Sequence, residues 1–361
     1  MQGRLNRVRL WPDVWSSIML RMDKDLKNLL RPQIEELVKG LGGRPYWAKY
    51  LFSFIHTKGA LSIEAVTTLP KAFRQQLADA GFFVSSLSTT ETLRDPDGTV
   101  KFVFSTPQGT RLESVLLEDD GRYTLCISSQ AGCRMGCRFC ATGQLGFQAD
   151  LSAAQIVDQV YQVAATGADV ANVVYMGMGE PFDNYDQVLR SVRMLNDPEG
   201  RNIGQRRITI STCGLPSAIE RLAGEGLQVR LAISLHAPDD EVRQSLMPIA
   251  SQFPIAEILQ AVENYQRTTR RRVTIEYCMI QEINDRPEQA RDLLKILKGI
   301  DTNVNLIEFN PFPGSPFGSS AKPQIQRFAQ ILRDGGLETA IRFKRGRQIK
   351  AACGQLGADQ L

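Results

Sequence analysis

From Tyr123 onward, short apolar runs alternate with amphipathic stretches. Such alternation restricts the chain to a parallel sheet with crossover helices. The strand-like runs cover residues 123–127, 172–176, 207–211, 229–235, 272–279, 303–309 and 339–343. Ser152-Ala-Ala-Gln155 reads as a capping box, opening a helix that carries Ile156, Val157, Val160 and Val163. Six or seven such units predict an α/β fold: a partial (β/α)6-type barrel, incomplete beside the eight-unit form. In parallel barrels the chemistry sits at the carboxyl ends of the strands. Just past the runs lie Cys126 and a cysteine loop, Met176-Gly-Met-Gly-Glu180-Pro181, Ser211-Thr-Cys213, Ser234-Leu235-His236, Asn310-Pro-Phe-Pro-Gly314 and, last, Cys353. All of these are expected around one rim.

The cysteine loop is Cys133-Arg-Met-Gly-Cys137-Arg-Phe-Cys140. It offers three thiolates, one fewer than the usual complement of a four-iron, four-sulfur cluster. An iron without a protein thiolate can hold the amino and carboxylate groups of S-adenosylmethionine (SAM) and pass it an electron. Phe139, just before the last cysteine, is suited to lie against that cofactor. Zinc would call for a second ligand pair at C-x2-C spacing, and the chain has none. Seven cysteines, an odd number, and no clean secretory signal argue against a disulfide framework and for a reducing cytoplasm. Arg4, Arg7 and Arg9 ahead of an apolar stretch imitate a weak signal peptide, but Asp13 interrupts it.

Upstream, leucines and Ile34 at helical spacing, then Trp47 to Ile55 and Lys71 to Ala80, predict a small helical module. From about Leu87 the pattern alternates, with Asp95-Pro-Asp-Gly98 as a hairpin signal. The expected domains are 1–86 (helical accessory module), 87–122 (β-hairpin extension and linker) and 123–361 (barrel with a reactive-cysteine tail). The apolar runs are too short for a membrane span. Net charge is only +4, but basic residues cluster in two knots. One is Arg267, Arg270, Arg271 and Arg272, which reads equally well as a solvated face. The other is Arg342, Lys344, Arg345, Arg347 and Lys350, whose adjacency to Cys353 favours binding a polyanion.

Gly177 and Gly179 would let backbone approach a ligand closely, with Glu180 as partner for the SAM amino group. Ser211, Ser234 and Asn310 are small polar groups suited to ribose hydroxyls and a carboxylate. His236 is assigned to the binding wall rather than to acid–base work. Cys213 and Cys278 lie in apolar runs and read as inert core thiols. Cys353, in a small-residue turn after a basic strand, reads as a nucleophile or redox partner at the rim.

Together, Cys133-x3-Cys137-x2-Cys140, Gly177-Met-Gly-Glu-Pro181, Ser234-Leu-His236, Asn310-Pro-Phe-Pro-Gly-Ser-Pro316 and Ala352-Cys-Gly-Gln-Leu356 resemble the RlmN family. These are radical-SAM methyltransferases of adenine carbon 2. The resemblance spans about Leu26 to Leu356 and includes Leu51-Phe-Ser-Phe-Ile-His56-Thr-Lys-Gly59. A sister family, Cfr, methylates carbon 8. The Asn310 and Gly179-Glu-Pro181 motifs are closer to the carbon-2 enzymes, and the short tail after Cys353 is closer to the carbon-8 enzymes.

The resemblance implies one four-iron, four-sulfur cluster on Cys133, Cys137 and Cys140, and two SAM molecules per turnover. SAM would be bound by Gly179, Glu180, Ser211, Ser234, Leu235, His236 and Asn310. In the family scheme Cys353 takes a methyl group from one SAM, and a 5′-deoxyadenosyl radical from the second removes hydrogen from it. The methylene radical then adds to the adenine ring. Glu113 matches the family's proton acceptor, although sequence alone would make it a solvated hairpin carboxylate. Cys126 matches the thiol that resolves the adduct as a Cys126–Cys353 disulfide, a step that needs thiol exchange to reset. Implied partners are 23S ribosomal RNA and transfer RNA, gripped by the basic tail and the helical module. An electron donor such as flavodoxin or ferredoxin, no membrane and a monomeric state are also expected. A non-catalytic RNA-binding iron–sulfur protein is the rival class; it leaves the open cluster site and Cys353 unexplained.

Overall fold

The computed structural model describes residues 24–342 and 345–361. Expectations on Arg4 to Leu20, on Phe343 and on Lys344 lie outside the described residues. A single 3-10 turn, Leu26–Asn28, precedes α1 (Arg31–Gly40), α2 (Pro45–His56) and α3 (Lys71–Asp79). Pro32 and Pro45 occupy the first turns of α1 and α2, where a missing N–H leaves nothing unpaired. Ile34, Val38, Leu51, Phe52, Ile55, Phe73 and Leu77 give these helices a core of their own.

A buried ion pair ties that module to the barrel. Lys27 Nζ lies 2.6 Å from Asp158 Oδ1, with side chains 0% and 2% exposed. The other Asp158 oxygen accepts the Leu87 N–H at 2.7 Å, so both oxygens of the carboxylate are used.

The strands β1 (Ser88–Arg94), β2 (Val100–Ser105), β3 (Arg111–Asp119) and β4 (Arg122–Cys126) come next. The Asp95–Gly98 turn joins β1 to β2, as its sequence signals. The extension is more than a hairpin, however. β3 pairs antiparallel with β4, Val115 opposite Cys126, so β1, β2 and β3 prolong the barrel sheet itself.

Two short strands, β5 (Gln130–Gly132) and β6 (Phe147–Asp150), pair around the cysteine loop, with α4 (Ala141–Leu145) between them. The chain continues through α5 (Ala153–Ala164), β7 (Val170–Tyr175), α6 (Tyr185–Asn196), β8 (Ile208–Thr212), α7 (Pro216–Ala223) and β9 (Arg230–Ser234). It ends with α8 (Asp240–Leu246), α9 (Ile255–Thr269), β10 (Val273–Met279), α10 (Pro287–Ile296), β11 (Thr302–Glu308), α11 (Lys322–Asp334) and β12 (Thr339–Arg342). Strands β4, β7, β8, β9, β10, β11 and β12 are parallel neighbours in that order. The ten-stranded sheet runs from β1 to β12 without pairing its ends, so the barrel is open. All seven sequence runs are strands, displaced by two residues at most. The capping box at α5 is present: Gln155 N–H donates to Ser152 Oγ and Ser152 N–H to Gln155 Oε1. Among the described residues no helix is long and apolar enough to cross a membrane.

Topology corrects the first basic knot. Arg267 to Arg272 run from the end of α9 into the start of β10, at the amino ends of the strands and opposite the expected rim. Arg272 is moreover engaged by Glu338 at 2.5 Å and Asp301 at 3.5 Å. These arginines brace the base of the sheet.

Lys27→Ala should lower stability by about 3–5 kcal/mol, the usual cost of stranding one partner of a buried pair. The double replacement Lys27→Met with Asp158→Leu should recover most of that loss. Thermal unfolding checks both; equal melting temperatures for Lys27→Ala and the parent chain would remove the pair from its anchoring role.

Candidate active site

At the carboxyl ends of the parallel strands a cavity of about 900 Å³, measured out to solvent, opens between the cysteine loop and the tail. Each strand delivers its succeeding loop to this space. The first loop presents Cys133, Cys137, Phe139 and Cys140; β7 leads into Gly177, Gly179 and Glu180. Next come Ser211 and Cys213 from β8, Ser234 and His236 from β9, and Cys278 from β10. The tail closes the ring with Cys353 and Gly354. Thus Cys353 and the three loop cysteines face the same space, as their positions past the strands predict.

The cysteine loop is tightly folded. Cys133 N–H donates to Gly146 O at 3.0 Å and Cys140 N–H to Cys137 O at 3.2 Å. A side chain at Gly143 would meet Cys137 backbone at 2.8 Å, so only glycine lets the loop close there. Desolvation pushes Cys133 up to about 12 and raises Cys137 well above the ordinary thiol value, and the proximity of other loop cysteines adds to both. Thiols held this way stay protonated without a positive partner and become ligands beside a metal charge.

Gly177 and Gly179 serve a different close approach from the expected one. A Cβ on Gly177 would meet Ile127 backbone at 2.7 Å, and one on Gly179 (φ +100°) would meet Gln130 N at 2.7 Å. They pack this turn onto the neighbouring loop, and both also line the cavity. Glu180 is buried, accepting Phe182 N–H at 3.0 Å and Cys213 N–H at 2.8 Å. Burial raises its pKa. It braces two rim loops and also faces the cavity.

Ser211 and Ser234 stand on adjacent strands with hydroxyl oxygens 3.4 Å apart. His236 has φ +60°, and its Nδ1 accepts the Cys278 N–H at 3.0 Å. That bond puts the ring proton on Nε2, and burial lowers the pKa to about 3. Phe139 meets the His236 ring edge-on at 4.8 Å. Leu235 departs from expectation: its side chain is fully buried in the main core, not in the cavity wall. Asn310 acts on the tail, donating from Nδ2 to Cys353 O at 3.1 Å, while its buried Oδ1 has no partner.

Cys353 is exposed as a residue, yet desolvation in the cavity raises its thiol pKa, opposed by Arg342. Cys126, at the end of β4, is half-buried and within electrostatic reach of Cys353; burial pushes its pKa far up. Glu113 is no solvated hairpin carboxylate. It is fully buried on β3, behind the tail rather than on the cavity wall, and its Oε2 accepts Gly357 N–H at 3.1 Å. Its buried Oε1 accepts no hydrogen bond and lies 3.7 Å from Arg111 Nη2. Cys213 and Cys278, read as inert core thiols, are buried but line the cavity.

Sequence reading missed Glu276 and Arg342 as a pair beside Cys353. Glu276 is buried mid-strand, holds Asn305 at 2.9 Å and lies 3.9 Å from Arg342. A carboxylate inside the apolar β10 run was the available signal. Of the second basic knot, Arg345 pairs with Asp119 at 3.0 Å and Lys350 with Asp359 at 2.5 Å, while Arg347 is exposed.

An open parallel barrel with three cysteines on the loop after its first strand defines a radical-SAM protein, and residues 127–294 match the Radical SAM superfamily. Residues 24–81 match the ribosomal RNA large subunit methyltransferase N-terminal domain. The chain is 42% identical to the dual-specificity RNA methyltransferase RlmN of Syntrophobacter fumaroxidans, covering 92% of this chain and 98% of that one. It is 43% identical to the probable dual-specificity RNA methyltransferase RlmN of Thermus thermophilus, over 91% and 94% of the two chains. A crystal structure of a radical SAM methyltransferase from Sphaerobacter thermophilus superposes with a TM-score of 0.88 at 42% identity, over 92% of this chain and 99% of that one. The chain belongs to the RlmN family.

That family implies an iron–sulfur cluster and SAM, and the residues fit. Among the described residues no three metal-binding side chains converge on a single-ion site, yet three cysteines face one cavity. Separated thiolates on one wall suit a cluster, whose irons are apart. The unpartnered Asn310 Oδ1 and Glu276 Oε2 are buried acceptors that a cationic or hydroxylated ligand would satisfy.

Gly179→Ala should abolish SAM binding measured by calorimetry, because the turn must move off Gln130; wild-type affinity would contradict the packing role. Both histidines are buried and neutral, with pKa values lowered to about 3. The unfolded imidazole protonates near 6.5, so acid favours the unfolded chain and stability falls as pH drops from 6.5 toward 3. Each contributes about 1.4 kcal/mol per pH unit in that window. Replacing His56 with Gln should flatten the fall in melting temperature between pH 6.5 and 5; an unaltered slope would contradict it.

Proposed function

We propose that the chain is a radical-SAM RNA methyltransferase that methylates carbon 2 of an adenine in 23S ribosomal RNA and in transfer RNA. The observation that carries this reading is the placement of Cys353 on the same cavity as Cys133, Cys137 and Cys140, with Cys126 close by. Carbon 2 of adenine is electron-poor and offers no lone pair, so a thiol must deliver the methyl carbon by another route than polar transfer. Bound at the three loop cysteines, the cluster would supply one-electron cleavage of SAM.

The protein's own residues do the rest. Cys353 carries the methyl group taken by nucleophilic displacement. Asn310 holds its carbonyl, which fixes where the sulfur lies. Glu113 takes the proton from the adduct through Oε1, which accepts no hydrogen bond, and the adduct's unpaired electron leaves to a one-electron carrier of the flavodoxin or ferredoxin kind. The Cys126 thiolate then attacks the Cys353 sulfur, and the bond from Cys353 to the methylene carbon breaks with its electron pair going to that carbon. The carbon takes up a proton to become the methyl group, and a disulfide is left. A thiol reductant restores both cysteines, as in a reducing cytoplasm. Gly179, Glu180, Ser211, Ser234, His236 and Asn310 form the SAM wall, with Leu235 contributing backbone only. The exposed Arg347 and the ion-paired Arg345 and Lys350, which precede Cys353 in the tail, are the groups offered to phosphates. We assign the protein as a monomer fed by flavodoxin or ferredoxin.

The test is nucleoside mass spectrometry of RNA incubated with reconstituted enzyme, SAM and reductant. 2-Methyladenosine is expected; 8-methyladenosine would move the chain to the Cfr-like reaction, and no methylated adenine would leave only the non-catalytic RNA-binding reading. Cys126→Ala should accumulate a covalent enzyme–RNA adduct visible on denaturing gels. Activity lost without any adduct would remove Cys126 from the resolving role.

A further inference from the structure

Lys101 belongs to no motif, is the second residue of β2 and is fully buried. A buried ammonium is tolerated only where charge and hydrogen bonds compensate it. Here the compensation comes from two parts of the chain far apart in sequence. Lys101 Nζ lies 2.9 Å from Asp359 Oδ2 in the tail and 3.7 Å from Glu113 Oε2 on the adjoining strand. Lys350 Nζ lies 2.5 Å from the other Asp359 oxygen. These four side chains form a chain of two cations and two anions running from the barrel interior to the surface, and Arg111 Nη2 adds a third cation 3.7 Å from the other Glu113 oxygen.

The same carboxylate that Lys101 neutralises also accepts Gly357 N–H, so Glu113 and Lys101 grip the tail together, at Gly357 and Asp359. Upstream of Cys353 the extension grips the tail again. Asp97 Oδ2 accepts Gly346 N–H at 2.7 Å and Asp95 Oδ2 accepts Gln348 N–H at 2.8 Å. Each aspartate spends its other oxygen on its own turn. Gly346 (φ +65°) cannot carry a side chain, because a Cβ would meet Thr99 and Ala351 at 2.8 Å. Residues 346–359 are thus a strap pinned near both ends to the antiparallel extension, with Cys353 between the pins.

We propose that Lys101 is a positioning residue for Cys353: its ammonium, held between Glu113 and Asp359, seats the thiol-bearing strap over the cavity. As a role in the reaction this rests on Cys353 being the methyl carrier; as a clamp it does not. It also makes Glu113 serve two ends, since the carboxylate proposed as proton acceptor is the one that anchors the strap.

Hydrogen exchange of the cluster-loaded protein, read by mass spectrometry, tests it. Lys101→Met should speed exchange of residues 351–361 on the order of tenfold while the barrel strands keep their protection. Lys101→Arg, which retains the charge, should hold exchange near that of the parent chain. Asp359→Asn cuts the same link from the solvent side and should reproduce the effect even if Lys101→Met folds poorly. The double variant should exchange no faster than either single one. In methylation assays kcat should fall for Lys101→Met and KM for SAM should stay unchanged. Unaltered strap exchange in both Lys101→Met and Asp359→Asn overturns the clamp. Faster strap exchange with no RNA methylation by the parent enzyme would uphold the clamp and defeat the proposed function instead.

Discussion

One hydrogen bond joins the two halves of the site. Ala141 N–H, immediately after the last loop cysteine, donates to Gly354 O of the tail at 2.7 Å. Thr142 Oγ1 reinforces it through Leu356 O at 2.7 Å, and Gln355 Nε2 reaches Pro311 O at 2.8 Å. Without these contacts a segment with no helix or strand of its own would not stay beside the cysteine loop. Each such bond is worth only about 1 kcal/mol net, so the strap depends on several acting together.

The parallel sheet makes that meeting possible. Its strands bring loops distant in sequence to one end, and the buried apolar runs leave little freedom in where each loop starts. The antiparallel strands β1, β2 and β3 extend the same sheet, which gives the tail a rigid surface to lie on. The helical module has its own core and is tied to the barrel by the buried pair of Lys27 with Asp158 of α5, among other contacts such as Arg31 with Asp197.

Much of this was legible in the sequence for a physical reason. The strands, the α5 cap and the ring of loops arise from local periodicity, and three cysteines in eight residues can face one point wherever the loop sits. The hidden part depends on packing between distant segments. Glu113 looks solvated in a hairpin-like run, but the tail covers it and Lys101 neutralises it. Cys278 lies in β10 and Cys213 just past β8, both in apolar runs, yet both reach the cavity. The arginines at 267–272 read equally well as a solvated face or a polyanion site, and topology puts them at the end of the sheet opposite the cavity. Gly177 and Gly179 announce a close approach, and only the fold reveals that the neighbour is protein backbone.

The central claim is that Cys353 and Cys126 work as a pair at the cavity of the three loop cysteines. Peptide mapping after a single turnover with RNA, in the absence of any thiol reductant, tests it most directly. The account predicts a disulfide joining the Cys126 and Cys353 peptides in proportion to methylated RNA. Methylated RNA formed while both of those thiols remain free would contradict it.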